Sequence, residues 1–258
     1  MRQLFDMRIR EMRRDRAARN GVELFLYERA FADCLERLEL TQRRFSRALL
    51  VGCPDPTWPE RLVKVADQVD VRDPGSRFAE RSAGTPLVED AWLPTEAAYD
   101  LALAIGTLDS VNDLPLALRL LRHALQPNAL LMGAVSGGDT LPQLRSAMRA
   151  ADAIAGAAMP HVHPRIEAAA FAPLLETAGF SRPVVDVDRV PVSYRSFERL
   201  IDDLRAMAGT NMLTDRPRFI GRAALDAAVK AFTAAGEDSR TVEIFEILHF
   251  AAWTPKET

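Results

Sequence analysis

Cysteine is almost missing from this chain: its 258 residues hold two, Cys34 and Cys53. They lie far apart and lack metal-ligand spacing, so buried free thiols are expected and a disulfide framework is not. Histidine is scarce as well, at four residues. Only His161 and His163, in the run P-H-V-H-P, invite a metal reading. No third ligand stands nearby, so the prolines read as fixing a loop and no metal is expected. Long apolar runs are also lacking. None reaches the roughly 18 residues a transmembrane segment needs, and no signal-peptide core follows the first Met. The expected location is the cytoplasm, bacterial or the equivalent mitochondrial matrix. Nor is there an excess of one charge. With 33 basic and 36 acidic residues, a formal charge of -3 and a pI near 5.9, nothing pulls the chain as a whole toward nucleic acid.

What remains is 48% apolar and 27% charged, enough to bury a large core in one α/β domain. The stretch 111–141 organises the rest. Leu114, Leu118, Leu121 and Leu125 stand at helical spacing, Pro127-Asn128 makes a turn, and an apolar strand over 129–135 runs into the loop G-G-D-T. One helix feeding one buried strand is the repeating unit of a parallel α/β sheet. Upstream, residues 1–20 carry Arg2, Arg8, Arg10, Arg13, Arg14, Arg16 and Arg19 against three acids. This reads either as a solvated helix face with ion pairs or as a basic lid that meets an acidic partner or anionic surface. Asn20-Gly21 breaks that helix, a second spans 25–38, and 47–53 is a first strand ending in glycine. Further strands are expected at 68–71, 99–106, 184–192 and 242–255, the last with its acids outward, and helices at 141–157 and 166–178.

The sequence V-N-D-L-P, the turn L-Q-P-N-A and the closing G-G-D-T-L resemble the methyltransferase-like assembly factors of respiratory complex I. That family has the class I S-adenosylmethionine (SAM) methyltransferase fold and is related to the malonyl-carrier-protein methyltransferase of biotin synthesis. Its mitochondrial members hydroxylate an arginine of a complex I subunit. L-F-D and R-R-D-R-A-A-R near the start, and V-S-Y, D-L-R-A-M, T-N and the final W-T-P, extend the resemblance over essentially the whole chain. It implies a Rossmann-like, mainly parallel α/β sheet with an antiparallel strand near the C terminus. A helical segment over 1–46 would precede the methyltransferase-like domain at 47–258, with cap helices around 195–230.

By position, the resemblance assigns Gly52, Asp70, Glu89 and Asp90 to the cofactor, SAM. Tyr194, Asp203, Arg205, Met207 and Asn211, with Asp139 and Thr140, fall to a protein client. A carboxylate such as Asp203 suits a client arginine, whose guanidinium fork it matches bidentately. Relatives place a glycine loop, G-x-G-x-G, after the first strand. Here only Gly52 survives, followed by Pro54, Pro56, Trp58 and Pro59, residues that remove backbone donors and add bulk. Asp109 and Ser110 replace the family's His-Trp. Two readings stay open: an enzyme that modifies a protein by methyl transfer or arginine hydroxylation in complex I assembly, and a catalytically silent relative acting as an assembly chaperone.

Overall fold

The computed structural model describes residues 3–256, so Arg2 of the basic run lies outside the described residues. Helix α1 (Met7–Asn20) starts where the Asp6 carboxylate accepts the Ile9 N-H at 3.2 Å, and it ends at Gly21, whose φ of 99° few other residues adopt. In chain order there follow α2 (Phe25–Leu40), β1 (Phe45–Val51), α3 (Trp58–Leu62), β2 (Ala66–Asp73), α4 (Ser76–Arg81), β3 (Thr85–Pro86) and β4 (Tyr99–Ile105). After a 3-10 turn come α5 (Leu114–Ala124), β5 (Leu125–Ser136), α6 (Pro142–Ala155), α7 (Ala168–Thr177) and β6 (Ser181–Tyr194). The chain closes with α8 (Phe197–Ala206), α9 (Arg222–Ala234) and β7 (Thr241–Trp253).

Among the described residues these strands form one seven-stranded sheet in the order β3-β2-β1-β4-β5-β7-β6. Only β7 runs antiparallel to its neighbours, so the sheet is mainly parallel with one reversed strand near the C terminus, as expected. The Pro127-Asn128 turn lies inside β5 as a bulge. Pairing with β4 jumps there from Tyr99–Leu125 to Leu101–Leu130, and Asn128 takes a φ of 56°.

The two faces of the sheet are covered by different helices. Leu118 and Leu121 of α5 and Phe171 and Leu175 of α7 pack on one face; Phe31 and Leu38 of α2, with Trp58 and Leu62 of α3, pack on the other. A third apolar cluster joins α6, α8 and α9 through Met148, Leu200 and Phe232 and forms the cap.

The expected outward acids of the last strand are turned inward. Glu243 and Glu246 are buried because β7 sits between two strands and each carboxylate has donors to satisfy. Glu243 accepts the N-H groups of Gln143 at 3.2 Å and Leu144 at 2.8 Å, capping α6 from outside its own sequence. Burial raises its pKa against the pull of those bonds.

Candidate functional site

Residues four apart on a helix share a face, and Arg10 and Arg14 of α1 both point down onto the C-terminal ends of the parallel strands. Arg10 donates from both terminal nitrogens to the two oxygens of Glu89, each at 2.7 Å, and further to the Thr107 carbonyl at 2.8 Å and Ser110 Oγ at 3.1 Å. Arg14 grips Asp73 in the same way, at 2.8 and 2.6 Å, with its guanidinium lying 5.2 Å above the Phe78 ring. All four charged groups are at most 5% exposed, a burial that only such pairing makes tolerable. Burial works against the Arg14 charge, the Asp73 carboxylate more than offsets it, and its pKa ends above the ordinary value.

The docking of α1 is built into its surroundings. A Cβ at Gly75 would stand 2.7 Å from the Arg14 Cβ, so the Pro74-Gly75 turn is what admits the helix. Asn112, from V-N-D-L-P, bonds the Phe5 backbone in both directions, at 2.8 and 3.1 Å, and the Asp6 N-H donates to the Met212 carbonyl at 2.9 Å. The L-F-D, V-N-D and T-N elements are therefore fastened to one another.

The residues assigned by sequence to the cofactor take mixed positions. Gly52 does lie at the end of β1, with a φ of 84°. A Cβ there would meet the Ile105 carbonyl oxygen at 2.3 Å, so strand packing by itself demands the glycine. Trp58 turns away from the cleft; it is fully buried, stacks on Phe31 at 4.3 Å and donates to Glu28 at 3.0 Å. Asp70 is not the acid at the strand end. It lies inside β2, held by Arg47 at 2.7 Å and the Tyr99 hydroxyl at 2.8 Å, because the strand runs on to Asp73. Asp73 holds the end position, and its oxygens accept four N-H groups: Arg14 twice, Gly75 at 2.7 Å and Cys53 at 2.8 Å. Glu89 is held by Arg10, and Asp90 accepts the N-H groups of Asn112 and Asp113 at 3.0 and 2.8 Å.

The residues assigned to a client do not converge. Thr140 and Met207 line a small cavity of about 120 Å³ beyond the ends of β4 and β5, together with Tyr27, Asp109, Arg165 and Glu246. Thr140 is tied to Glu246 in both directions through its hydroxyl, and Arg165 is ion-paired with Asp109. Arg205 and Asn211 line an adjoining groove of about 660 Å³ between α1, α6 and α8, which shares His163 and Arg165 with the small cavity. Tyr194 is buried beside Asp203. Burial first and that carboxylate second raise its pKa, while its hydroxyl finds no partner in hydrogen-bond geometry. Asp139 is exposed and paired with Arg189 at 2.6 Å.

Both histidines of P-H-V-H-P have structural partners. His161 faces Asp152 at 2.7 Å, and His163 Nε2 accepts the Met212 N-H at 2.9 Å. Burial, followed by the charges of Arg165, Arg13 and Arg145, pushes the His163 pKa down to about 2. Elsewhere Asp33, Cys34 and His249 come within 4.8 Å of one another. Arg37 already holds the Asp33 carboxylate at 2.8 Å and burial pushes the Cys34 thiol up to about 12, both of which oppose a cation. Cys34 and Cys53 are free and buried.

Sequence reasoning named Arg10 and Arg14 only within the basic run that could form a lid, and it did not single out Asp73, Arg165 or Glu246 for the site. The spacing of Arg10 and Arg14 and the acid just before Pro74-Gly75 were the signals available for three of them.

Residues 23–183 match the profile of a family described as a methyltransferase domain. A mitochondrial arginine-hydroxylase, NDUFAF5 of Danio rerio, is 29% identical over 245 residues, covering 91% of this chain and 76% of that protein. The malonyl-[acyl-carrier protein] O-methyltransferase of Xylella fastidiosa is 32% identical over 162 residues, 62% of this chain and 53% of the relative. Among solved structures, the N-methyltransferase NodS from Bradyrhizobium japonicum, in complex with S-adenosyl-L-homocysteine (SAH), superposes with a TM-score of 0.53 at 16% identity, over 96% of this chain and all of that one. At that identity the likeness is one of fold, the class I methyltransferase sheet. No helix among the described residues is long and apolar enough to cross a membrane.

Proposed function

The chain belongs to the methyltransferase-domain family, and from that premise we propose that it is a protein-binding assembly factor built on the methyltransferase fold, working in respiratory complex I assembly, with its nucleoside site held shut by its own α1. The observation that carries this reading is the pair of buried contacts Arg10–Glu89 and Arg14–Asp73. In a doubly wound sheet the acid near the end of the second strand accepts from ribose hydroxyls. A carboxylate offers about four lone-pair sites. At Asp73 four N-H groups of the chain itself take them. Glu89, which the resemblance assigns to the cofactor, gives both oxygens to Arg10. These residues do not fit SAM while α1 is docked.

A second reading, an enzyme that hydroxylates or methylates a client, is favoured by one observation. The small cavity lined by Asp109, Thr140 and Glu246 stands at the strand ends where open α/β sheets hold ligands. Its volume of about 120 Å³ is well below the roughly 300–1,000 Å³ of ordinary small-molecule sites. The similarity to an arginine-hydroxylase supports the same reading.

Deleting the gene in its native cell tests assembly directly. Assembled complex I should fall and recover with the wild-type gene; unchanged complex I would overturn the proposal. Intact masses of the complex I subunits separate the two readings, since a mass increase of one oxygen or one methylene that depends on this chain would favour the enzyme.

A further inference from the structure

The groove between α1, α6 and α8 is unlike the rest of the molecule. Five arginines line it, Arg13, Arg165, Arg205, Arg216 and Arg218, against one carboxylate, Asp6, among the described residues. The chain as a whole carries slightly more acids than bases, so this concentration of positive charge is local. Asp6 accepts from Arg216 at 3.3 Å besides the Ile9 N-H, Arg205 looks outward to Asp202 at 3.0 Å, and Arg165 carries its ion pair with Asp109 at the inner end of the groove. Two guanidinium nitrogens, Arg13 Nη1 and Arg165 Nε, are sealed from water with no acceptor. Buried donors without acceptors are rare in folded proteins, and an anion is the group that would satisfy these. The mutual repulsion has a second mark: burial first, then the charges of Arg216 and Arg16, lower the Arg13 pKa to about 10.

Opposite these charges the wall is apolar. Leu144 and Met148 of α6 and Phe197, Ile201 and Leu204 of α8, members of the cap's apolar cluster, line the groove as well. A volume of about 660 Å³ falls within the roughly 300–1,000 Å³ range of small-molecule sites. An anionic head among arginines and an apolar body against leucine, methionine and phenylalanine describe one kind of molecule. We infer that this groove binds a small amphiphilic carboxylate, its head held by Arg13, Arg165 and Arg216 and its chain lying between α6 and α8. The site lies apart from the carboxylates that α1 covers, so it stands whether or not the nucleoside site is closed. It also makes this groove hostile to a client arginine.

Calorimetric titration of the full chain with octanoate, octan-1-ol and octylamine tests the assignment. Octanoate should bind about tenfold or more tightly than the neutral alcohol, the amine should bind most weakly, and added salt should weaken the octanoate alone. Arg13→Gln and Arg216→Gln should each reduce octanoate affinity several-fold and leave octan-1-ol unchanged, while Arg44→Gln, on the far side of the protein, changes neither. Circular dichroism of each variant confirms folding, and either arginine variant alone is sufficient for the comparison. Equal binding of octanoate and octan-1-ol, or no binding of octanoate by the folded wild type, would overturn the proposal. Loss of octanoate binding only in Arg44→Gln would do the same.

Discussion

Arg13 and Arg14 are neighbours on α1, yet they end in opposite surroundings. Arg14, like Arg10 one turn before it, is driven into a buried carboxylate, which it engages through two of its nitrogens. Arg13, turned about 100° around the helix, enters a groove where positive charges outnumber negative and one of its nitrogens has no acceptor. On the proposed reading one helix closes one site and lends positive charge to another. The residue type is the same; the carboxylate opposite, present or absent, decides whether it acts as a latch or as a receptor for something anionic.

The largest effect should come from opening the latch. Arg14→Met leaves Asp73 buried beside an apolar chain, and loss of one partner of a buried pair costs about 3–5 kcal/mol, read by urea denaturation. The double variant Arg14→Met, Asp73→Leu should lose much less, because no orphan charge remains. Equal losses in the single and the double variant would mean that packing of α1, not charge, holds the site shut.

A pH titration of stability sharpens the other region. His163 has a folded pKa of about 2 against an ordinary 6.5, so it is neutral when folded and the unfolded chain binds more protons below pH 6.5. Its stabilising contribution is whole above pH 6.5 and is lost as pH falls from there toward 2, at up to about 1.4 kcal/mol per pH unit. His163→Gln, with an amide to accept the Met212 N-H, should flatten that part of the acid limb. An unchanged limb would show that burial and the arginines around His163 do not keep it neutral.

The shape of the sheet was legible before the structure. Helical spacing in 114–125, the apolar strand after it and the reversed last strand all stand as read. What failed were positions decided by distant partners. Glu243 and Glu246 read as outward acids, but each carboxylate is claimed by backbone N-H groups about a hundred positions away, those of Gln143 and Leu144 in one case and of Asp139 in the other. Asp70 takes the strand-end position only when β2 is read from its apolar pattern, which stops at Val71, while the backbone continues to Asp73. The basic run at the start could be read as a solvated face or as a lid. Nothing in it reveals that Arg10 has Glu89 waiting 79 positions on.

Smaller effects mark the ordinary surface between these regions. Arg13→Gln should shift stability by no more than about 1 kcal/mol in either direction, since its Nη1 has no acceptor to lose, in contrast to Arg14 next to it. Asp70→Asn removes a half-exposed pair with Arg47 and should cost about 0–1 kcal/mol. A loss near that of Arg14→Met at either position would erase the distinction between paired and unpaired arginines.

The most direct measurement is calorimetric titration of the purified, folded protein with SAH and with SAM. Closure of the nucleoside site by Arg10 and Arg14 requires no heat of binding up to the millimolar range in the wild type. Micromolar binding, abolished by Glu89→Ala or Asp73→Asn, would mean that α1 yields its carboxylates to the ligand, and the account of a closed site would be wrong.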